Sequence, residues 1–354
     1  MNNFINIPGF KEADSEGKNP FPLNQWYVAG YIWELKDKPI ARTFLNEAVV
    51  LFKDGNGEAC AIENRCPHRF LPLSDGTIED GGIRCGYHGM LFDKCGKCTE
   101  IPGQDKIPSK AKVKSYQLEV QNEIMWIWFG DENNSEANCK PPVYDIHSND
   151  EYVYGGGNTH YDVPYQLIHD NLLDLSHLGY VHLKTIGGNA GIHMNAEMKV
   201  EDDGKNVKVT RHMLNSTPPP TYLEAYPFKD KVNRWQEIEF CLSHIKIWTG
   251  AVDVDGDDVE DINRGGLHMR GFHGITPETE TSCYYFWTIA SNPTSNKEAI
   301  KEKVIDHTSR TFDEDKVIIE AQYENMVKYP HENMIDIHVD VAANKARRII
   351  ESLR

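Results

Sequence analysis

Cys66-Pro67-His68 and Cys85-Gly86-Tyr87-His88, set sixteen residues apart, decide how this chain is read. Each pair offers one thiolate and one imidazole from a short loop, so together they can serve a two-iron cluster with sulfur ligands on one iron and nitrogen ligands on the other. Zinc accepts the same atoms in a tetrahedral site. Zinc fingers, however, pair Cys with Cys and His with His, whereas both pairs here are mixed. The spacing therefore points to a 2Fe-2S centre held by Cys66, His68, Cys85 and His88. Gly81-Gly82, Gly86 and Gly89 make the backbone around the second pair permissive, as amides approaching cluster sulfurs require.

With 354 residues the chain is long enough for two domains. A net charge of −17 argues against nucleic acid or an anionic membrane as partner, since both need a basic patch. No stretch reaches the ~20 continuous apolar residues of a membrane span, and Met1 to Pro20 has no apolar run resembling a signal peptide. The eight cysteines are irregularly spaced, which argues against a disulfide framework and for a reduced, cytoplasmic setting compatible with thiolate-bound iron. Cys95-Gly96-Lys97-Cys98 lacks both a second pair and a thioredoxin-like strand and helix, so it reads as structural.

In chain order, a polar arm over residues 1–22 precedes a run of short strands beginning at Trp26. Val49-Val50-Leu51-Phe52 followed by Lys53-Asp54-Gly55-Asn56-Gly57 predicts a hairpin, and Glu123 to Gly130 predicts the closing strand of an all-β unit. The polar segment from Asp131, ending in Pro141-Pro142, marks a boundary. The expected organisation is an arm at 1–22, a cluster domain at 23–135 and a catalytic domain at 136–354. Strand patterns at Val207 to Leu214, Trp235 to Asp253, Gly266 to Ile275 and Ser282 to Ala290 predict an antiparallel sheet packed against two long helices, an α+β arrangement.

One of those helices is expected across His169 to His182. The spacing Asp174-x-x-His177-x₄-His182 would let all three side chains look toward one site. Two histidines need a carboxylate to complete the facial triad of a non-haem iron centre. The second helix, Asn296 to Tyr329, offers Asp313, Glu314, Asp315 and Glu320, with Val317, Ile318 and Ala321 as its apolar face. Asp315 lies three residues before Ile318 and four before Ile319, beside the stripe expected to face the core, yet Glu314 shares a face with Val317 and Ile318. Spacing leaves these acids as alternatives.

With Arg69, Pro72-Leu73-Ser74-Asp75-Gly76 and Gly89 flanking the cluster ligands, the chain resembles the Rieske non-haem iron oxygenases from Trp26 to the C-terminal helix. Leu71, where many relatives have a small residue, alters no ligand. Asp170-Asn171-Leu172-x-Asp174 and Thr276 to Glu280 through Tyr285-Phe286-Trp287 point more narrowly to the demethylase branch, the vanillate O-demethylase, dicamba demethylase and toluenesulfonate methyl-monooxygenase group. The resemblance implies a helix-grip-like catalytic domain after the β Rieske domain. It implies His177, His182 and Asp315 as iron ligands, with Asp313 as the fallback, and catalytic roles for Asn171 and Asp174. It also implies a head-to-tail homotrimer in which Asp174 bridges a cluster histidine of one subunit and His177 of its neighbour.

His273 resembles a substrate-contacting histidine, and Arg270 and His244 lie on the same predicted sheet. The implied partners are O₂, a small aromatic acid, and an NAD(P)H-dependent reductase with flavin and iron-sulfur groups, or a ferredoxin. The implied reaction is O-demethylation, or hydroxylation of a methyl group, in aromatic catabolism. A stand-alone Rieske electron carrier would need no second domain, and a zinc protein would need no iron. Metal and sulfide analysis separates the three: about three irons and about two labile sulfides per chain for the oxygenase, about two irons for a carrier, and none for a zinc protein.

Overall fold

The computed structural model describes residues 19–131, 140–183, 185–187, 189–293 and 295–354. Most of the arm, the segment 132–139 with Cys139, and the expected 135/136 boundary lie outside the described residues. The chain forms two compact units, Leu23–Val143 with Thr276–Thr279, and a second comprising Tyr144–Ile275 and Glu280–Arg354 together with residues 19–22.

The first unit is built from β1 (Gln25–Tyr31), β2 (Ile40–Phe44), β3 (Glu47–Lys53), β4 (Ala59–Glu63), β5 (Thr77–Glu79), β6 (Gly82–Arg84), β7 (Leu91–Phe92), β8 (Cys98–Glu100), β9 (Ser115–Tyr116), β10 (Leu118–Gln121) and β11 (Ile124–Phe129). They form three sheets, ordered β1-β11-β10, β2-β3-β4-β9 and β5-β6-β7-β8. The predicted hairpin is β3 and β4, paired from Val49 opposite Glu63 to Lys53 opposite Ala59. The predicted closing strand is β11, buried along its whole length between β1 and β10. The short sheet β5-β6-β7-β8 carries the second cluster loop at the end of β6.

The second unit has β12 (Val153–Tyr161), β13 (Glu197–Asp202), β14 (Val207–Ser216), β15 (Val232–Cys241), β16 (His244–Asp253), β17 (Leu267–Thr279, of which Thr276–Thr279 counts with the first unit) and β18 (Ser282–Ser291), in a seven-stranded sheet ordered β12-β18-β17-β16-β15-β14-β13. Its helices are α1 (Tyr165–Leu173), α2 (Leu178–Val181), α3 (Ala190–Met194), α4 (Pro220–Ala225), α5 (Lys297–Lys328) and α6 (Val341–Ser352). The α+β expectation holds, and the segment Trp235 to Asp253 is two strands joined by a tight turn, with Cys241 opposite His244.

Two expectations change. The stretch from His169 to His182 is not one helix: α1 stops at Asp174, whose backbone is extended, and a 3-10 turn over Leu175–His177 leads into α2. The Asp174 carboxylate caps that turn, accepting from the Ser176 amide at 2.8 Å, as N-terminal aspartates do. In addition, Val317 and Ile318 are 67% and 52% exposed, and Ala321 is exposed as well. The buried residues of α5 are Val304, Thr308, Thr311, Phe312, Asp315, Ile319 and Met326, so Asp315 and two threonines face inward among apolar neighbours while Val317, Ile318 and Ala321 face outward. An ion pair ties α1 to α6, Arg347 Nε donating to Asp170 Oδ1 at 2.9 Å.

On the sheet, residues directly opposite one another share a face. Trp235 lies opposite Gly250, and Trp248 opposite Arg270. Arg264 covers this face, its guanidinium 4.1 Å from the Trp235 ring and 4.0 Å from the Trp248 ring. A Cβ at Gly250 would lie 2.1 Å from the Trp235 ring and 2.2 Å from the Leu267 carbonyl. Gly250→Ala is therefore expected to destabilise the protein by about 1–3 kcal/mol through overpacking, read as a lowered thermal midpoint and an altered tryptophan fluorescence spectrum.

Candidate metal centres

Cys66 and Cys85 are buried, whereas His68 and His88 are exposed at the loop tips with ring centroids 4.4 Å apart. The two loops repeat one main-chain pattern. The Cys66 amide donates to Leu71 and its carbonyl accepts from Phe70, while the Cys85 amide donates to Met90 and its carbonyl accepts from Gly89. Phe70, at φ 60°, and Gly89, at φ 74°, occupy matching places in the left-handed region. Burial pushes the Cys66 thiol upward in pKa, and the neighbouring Cys85 adds to the effect. A metal that binds thiolate reverses that penalty, so a donor set of two buried sulfurs and two adjacent imidazoles could hold the 2Fe-2S group. Cys95 is exposed and Cys98 buried, with Asp93 accepting from the Cys95 and Lys97 amides in the turn between them.

In the second unit, His177, His182 and Asp315 each offer one ligand atom, and these atoms lie within 4.8 Å of one another. His177 comes from the 3-10 turn, His182 from the residue that ends α2, and Asp315 from the buried stripe of α5. Asp315 Oδ1 lies 3.0 Å from His182 Nε2 and 3.5 Å from His177 Nε2, and Asn171 Nδ2 donates to it at 3.1 Å.

The tautomers explain what this cluster is fit for. His177 Nδ1 lies 2.6 Å from the Asp174 carbonyl, which only accepts, so Nδ1 carries the proton. His182 Nδ1 lies 2.8 Å from the Glu314 carboxylate and donates to it. In the neutral rings both Nε2 atoms therefore present lone pairs toward an anionic oxygen. Such a set is repulsive unless a proton or a metal cation lies among the three, and a two-histidine, one-carboxylate set suits non-haem iron. Burial raises the Asp315 carboxyl, but hydrogen bonds and charge from His177 and His182 prevail and bring it down to about 2. Burial lowers His182, and Asp315 and Glu314 together outweigh that and raise it. Without metal, then, the triad favours a protonated histidine over a neutral carboxyl.

Asp313 and Glu320, the other acids considered, are not in this cluster: Glu320 Oε1 accepts from the Asp162 amide at 3.3 Å. Glu314 holds the outer nitrogen of His182. The Asp174 carboxylate is taken up by Ser176, from both the amide and the hydroxyl, rather than aimed at the triad.

The triad opens on a cavity also lined by Leu175, Met269, Ile289 and Phe312. His273 lines it too, its Nδ1 2.6 Å from the Tyr285 hydroxyl, and burial pushes this imidazole down to about 3. Arg270 and His244 lie on the other face of the sheet, Arg270 stacked 3.5 Å over Trp248 and His244 against Phe272.

The sequence reading missed Arg234 and Gln236, which line the cavity from β15. The available signal was their parity with Ile238 and Phe240, a polar pair on the buried face of a strand. It also missed Glu314 as the partner of His182, a link that sequence spacing does not reveal.

Residues 25–117 match the Rieske [2Fe-2S] domain, and residues 161–354 match the vanillate O-demethylase oxygenase C-terminal domain. A putative toluene-4-sulfonate monooxygenase system iron-sulfur subunit of Comamonas testosteroni is 36% identical over 93% of this chain and 96% of its own. A vanillate O-demethylase oxygenase subunit of a Pseudomonas species is 34% identical over 94% of this chain and 95% of its own. A crystal structure of dicamba monooxygenase with non-haem iron and dicamba superposes with a TM-score of 0.76 at 28% identity, covering 93% of this chain and 96% of that one. The chain belongs to the vanillate O-demethylase oxygenase family and is the oxygenase component of a Rieske non-haem iron enzyme, with a 2Fe-2S cluster and a mononuclear iron as its cofactors.

Proposed function

We propose that the protein O-demethylates, or hydroxylates at a methyl group, a small aromatic acid, with O₂ and electrons from a reductase or ferredoxin. In this reading Cys66, His68, Cys85 and His88 hold the cluster in a Rieske domain at 23–135, after an arm at 1–22. His177, His182 and Asp315 hold the mononuclear iron in a catalytic domain at 136–354. The observation that carries the reading is the pair of imidazole lone pairs converging on Asp315 at the edge of a largely apolar cavity. The chemistry that the two iron groups supply when bound is electron relay and O₂ activation.

The chain's own residues do the rest. The Asp174 carbonyl and the Glu314 carboxylate keep the protons on the outer nitrogens of His177 and His182, and Asn171 steadies Asp315 through Oδ1. Leu175, Ile289 and Phe312 give the cavity an apolar lining. With the Tyr285 hydroxyl donating to Nδ1, His273 is neutral and turns an Nε2 proton toward a substrate oxygen. The overall balance for an aryl methyl ether is one O₂, two electrons and two protons. One oxygen atom enters a methyl C–H bond to give a hemiacetal, whose C–O bond breaks to release a phenol and formaldehyde, and the other oxygen leaves as water.

The active unit in this reading is a cytoplasmic head-to-tail homotrimer in which Asp174 bridges a cluster histidine and the neighbouring subunit's His177. Two features support the bridge: a carboxylate has about four lone-pair sites, so capping Ser176 leaves capacity for a further donor, and a cyclic heterologous interface closes into a ring. Free cysteines, among them Cys66 and Cys85, suit a reducing compartment.

A screen of methoxylated and methylated benzoates and benzenesulfonates with a surrogate reductase, following formaldehyde and O₂ uptake, tests the reaction; no uptake with any of them would remove it. Asp315→Ala is expected to lose about one iron per chain and all turnover while keeping the visible absorbance of the cluster. If Asp313→Ala loses that iron and Asp315→Ala retains it, the ligand assignment fails. Asp174→Asn should keep both metals yet lose coupled turnover, and full activity in that variant takes Asp174 off the electron path.

A further inference from the structure

Arg234 projects from β15 into the cavity that holds the iron triad, and it is 2% exposed. Among the described residues no carboxylate lies within ion-pairing distance of it. Nη2 reaches the Ile186 carbonyl only at 3.5 Å, and Nε has no partner. The Tyr222 ring, 5.0 Å from Cζ, covers one side. Asp315, the acid in the same cavity, is engaged with His177, His182 and Asn171.

The neighbouring strand adds a second cation. Arg211 on β14 is directly opposite Gln236 and is also 2% exposed. It donates through Nη1 to Gln236 Oε1 at 3.2 Å and through Nη2 to the His193 carbonyl. An arginine only donates, so the Gln236 oxygen must face Arg211, which leaves its NH₂ group for another acceptor. Gln236 in turn lies opposite Thr249 on β16, and Thr249 opposite Met269 on β17, so Arg234 and Gln236 share the cavity face of the sheet with both. His193 supplies no negative charge: burial, and then the charge of Arg234, push it down to about 4.

A guanidinium cannot shed its proton to escape burial, and a buried charge without a counter-charge is strongly unfavourable. The missing partner is an anion delivered through the cavity. Two oxygens of a carboxylate or a sulfonate match the two-pronged donor. We infer that Arg234, with the Gln236 amide held by Arg211 presenting its NH₂ group on the same face, is the oxyanion anchor of the cavity, and that the aromatic substrate seats its carboxylate or sulfonate there with its methyl-bearing end toward the triad. The inference rests on the aromatic-acid reading and adds the residue that enforces it.

Calorimetric titration of the holoenzyme with 4-methoxybenzoate, 4-methoxybenzenesulfonate and their neutral amides tests it. Wild type is expected to bind at least one anion about tenfold or more tighter than its amide, and the favoured anion names the headgroup. R234M should lose about 10–100-fold on that anion while the amides change little. Its ligand-free melting point should equal or exceed that of wild type, because an uncompensated buried charge has gone. R234K should keep part of the preference for the anion.

Three results would overturn the anchor. One is a wild type with no anion preference, including one that binds none of the probes. Another is R234M with the preference intact. The third is a ligand-free R234M that melts well below wild type and weakens for all four probes alike, which assigns the arginine to the fold. The underlying reading fails separately. Anion-selective binding without formaldehyde from either methoxy acid removes demethylation and leaves the anchor, whereas formaldehyde from the amides as readily as from the acids does the reverse.

Discussion

Two imidazole lone pairs facing one carboxylate oxygen form an arrangement that needs a positive charge at its centre, and much of the second unit is arranged to keep it in place. The outer nitrogen of each ring is fixed by an acceptor, the Asp174 carbonyl for His177 and the Glu314 carboxylate for His182. Neither ring can turn its protonated nitrogen inward without giving up a hydrogen bond in a largely buried setting. The carboxylate is fixed in the same way, since Asp315 belongs to the inward stripe of a 32-residue helix that packs on β12 and β18. A long helix supplies one side chain of the triad and a broken helix supplies the other two, so the break at Asp174 belongs to the cluster as much as the three side chains do.

Outside the triad, buried histidines with no acid beside them are kept neutral: His273 and His193 are pushed well below the ordinary histidine range by burial. Groups that cannot become neutral are paired with an acid, stacked on an aromatic ring, or left facing the cavity. Arg347 has Asp170, Arg264 has Glu237 and two tryptophans, and Arg270 has Trp248. Arg234 stands apart from these because, among the described residues, its surroundings provide a ring and a distant carbonyl but no acid within ion-pairing distance.

Much of this was legible in the sequence. The mixed Cys and His pairs carry the cluster domain because few other arrangements put one sulfur and one nitrogen in each of two short loops. The long helix was legible from Asn296 to Tyr329, and those two residues are its caps. Strand β12 went unread because its three central glycines, Gly155, Gly156 and Gly157, show no alternation. The break at Asp174 went unread although Asp-x-Ser is a capping signal, because no proline or glycine announces it. The wrong face was assigned to α5 for a related reason. Periodicity marks Val317 and Ile318 as apolar and says nothing of where they point, while the inward positions Thr308, Thr311 and Asp315 read as polar because they serve a site rather than a core. The Arg234 and Gln236 pair is the same case on a strand.

Residue 174 divides its work between two parts of itself. Its carboxylate caps Ser176, but the bond that sets the proton on His177 is made by its carbonyl, which every amino acid possesses. Substitution at this position can therefore change the cap and leave the tautomer alone, so the orientation of His177 is shielded from single-codon changes there. What it is exposed to is a change in chain length: one residue gained or lost between Asp174 and His177 would move the carbonyl out of register with the ring. In genetic terms the orientation of His177 at this turn is tolerant of replacement at residue 174 and intolerant of insertion or deletion. For the tautomer of His177, the three-residue interval matters more than the side chain of the aspartate that begins it.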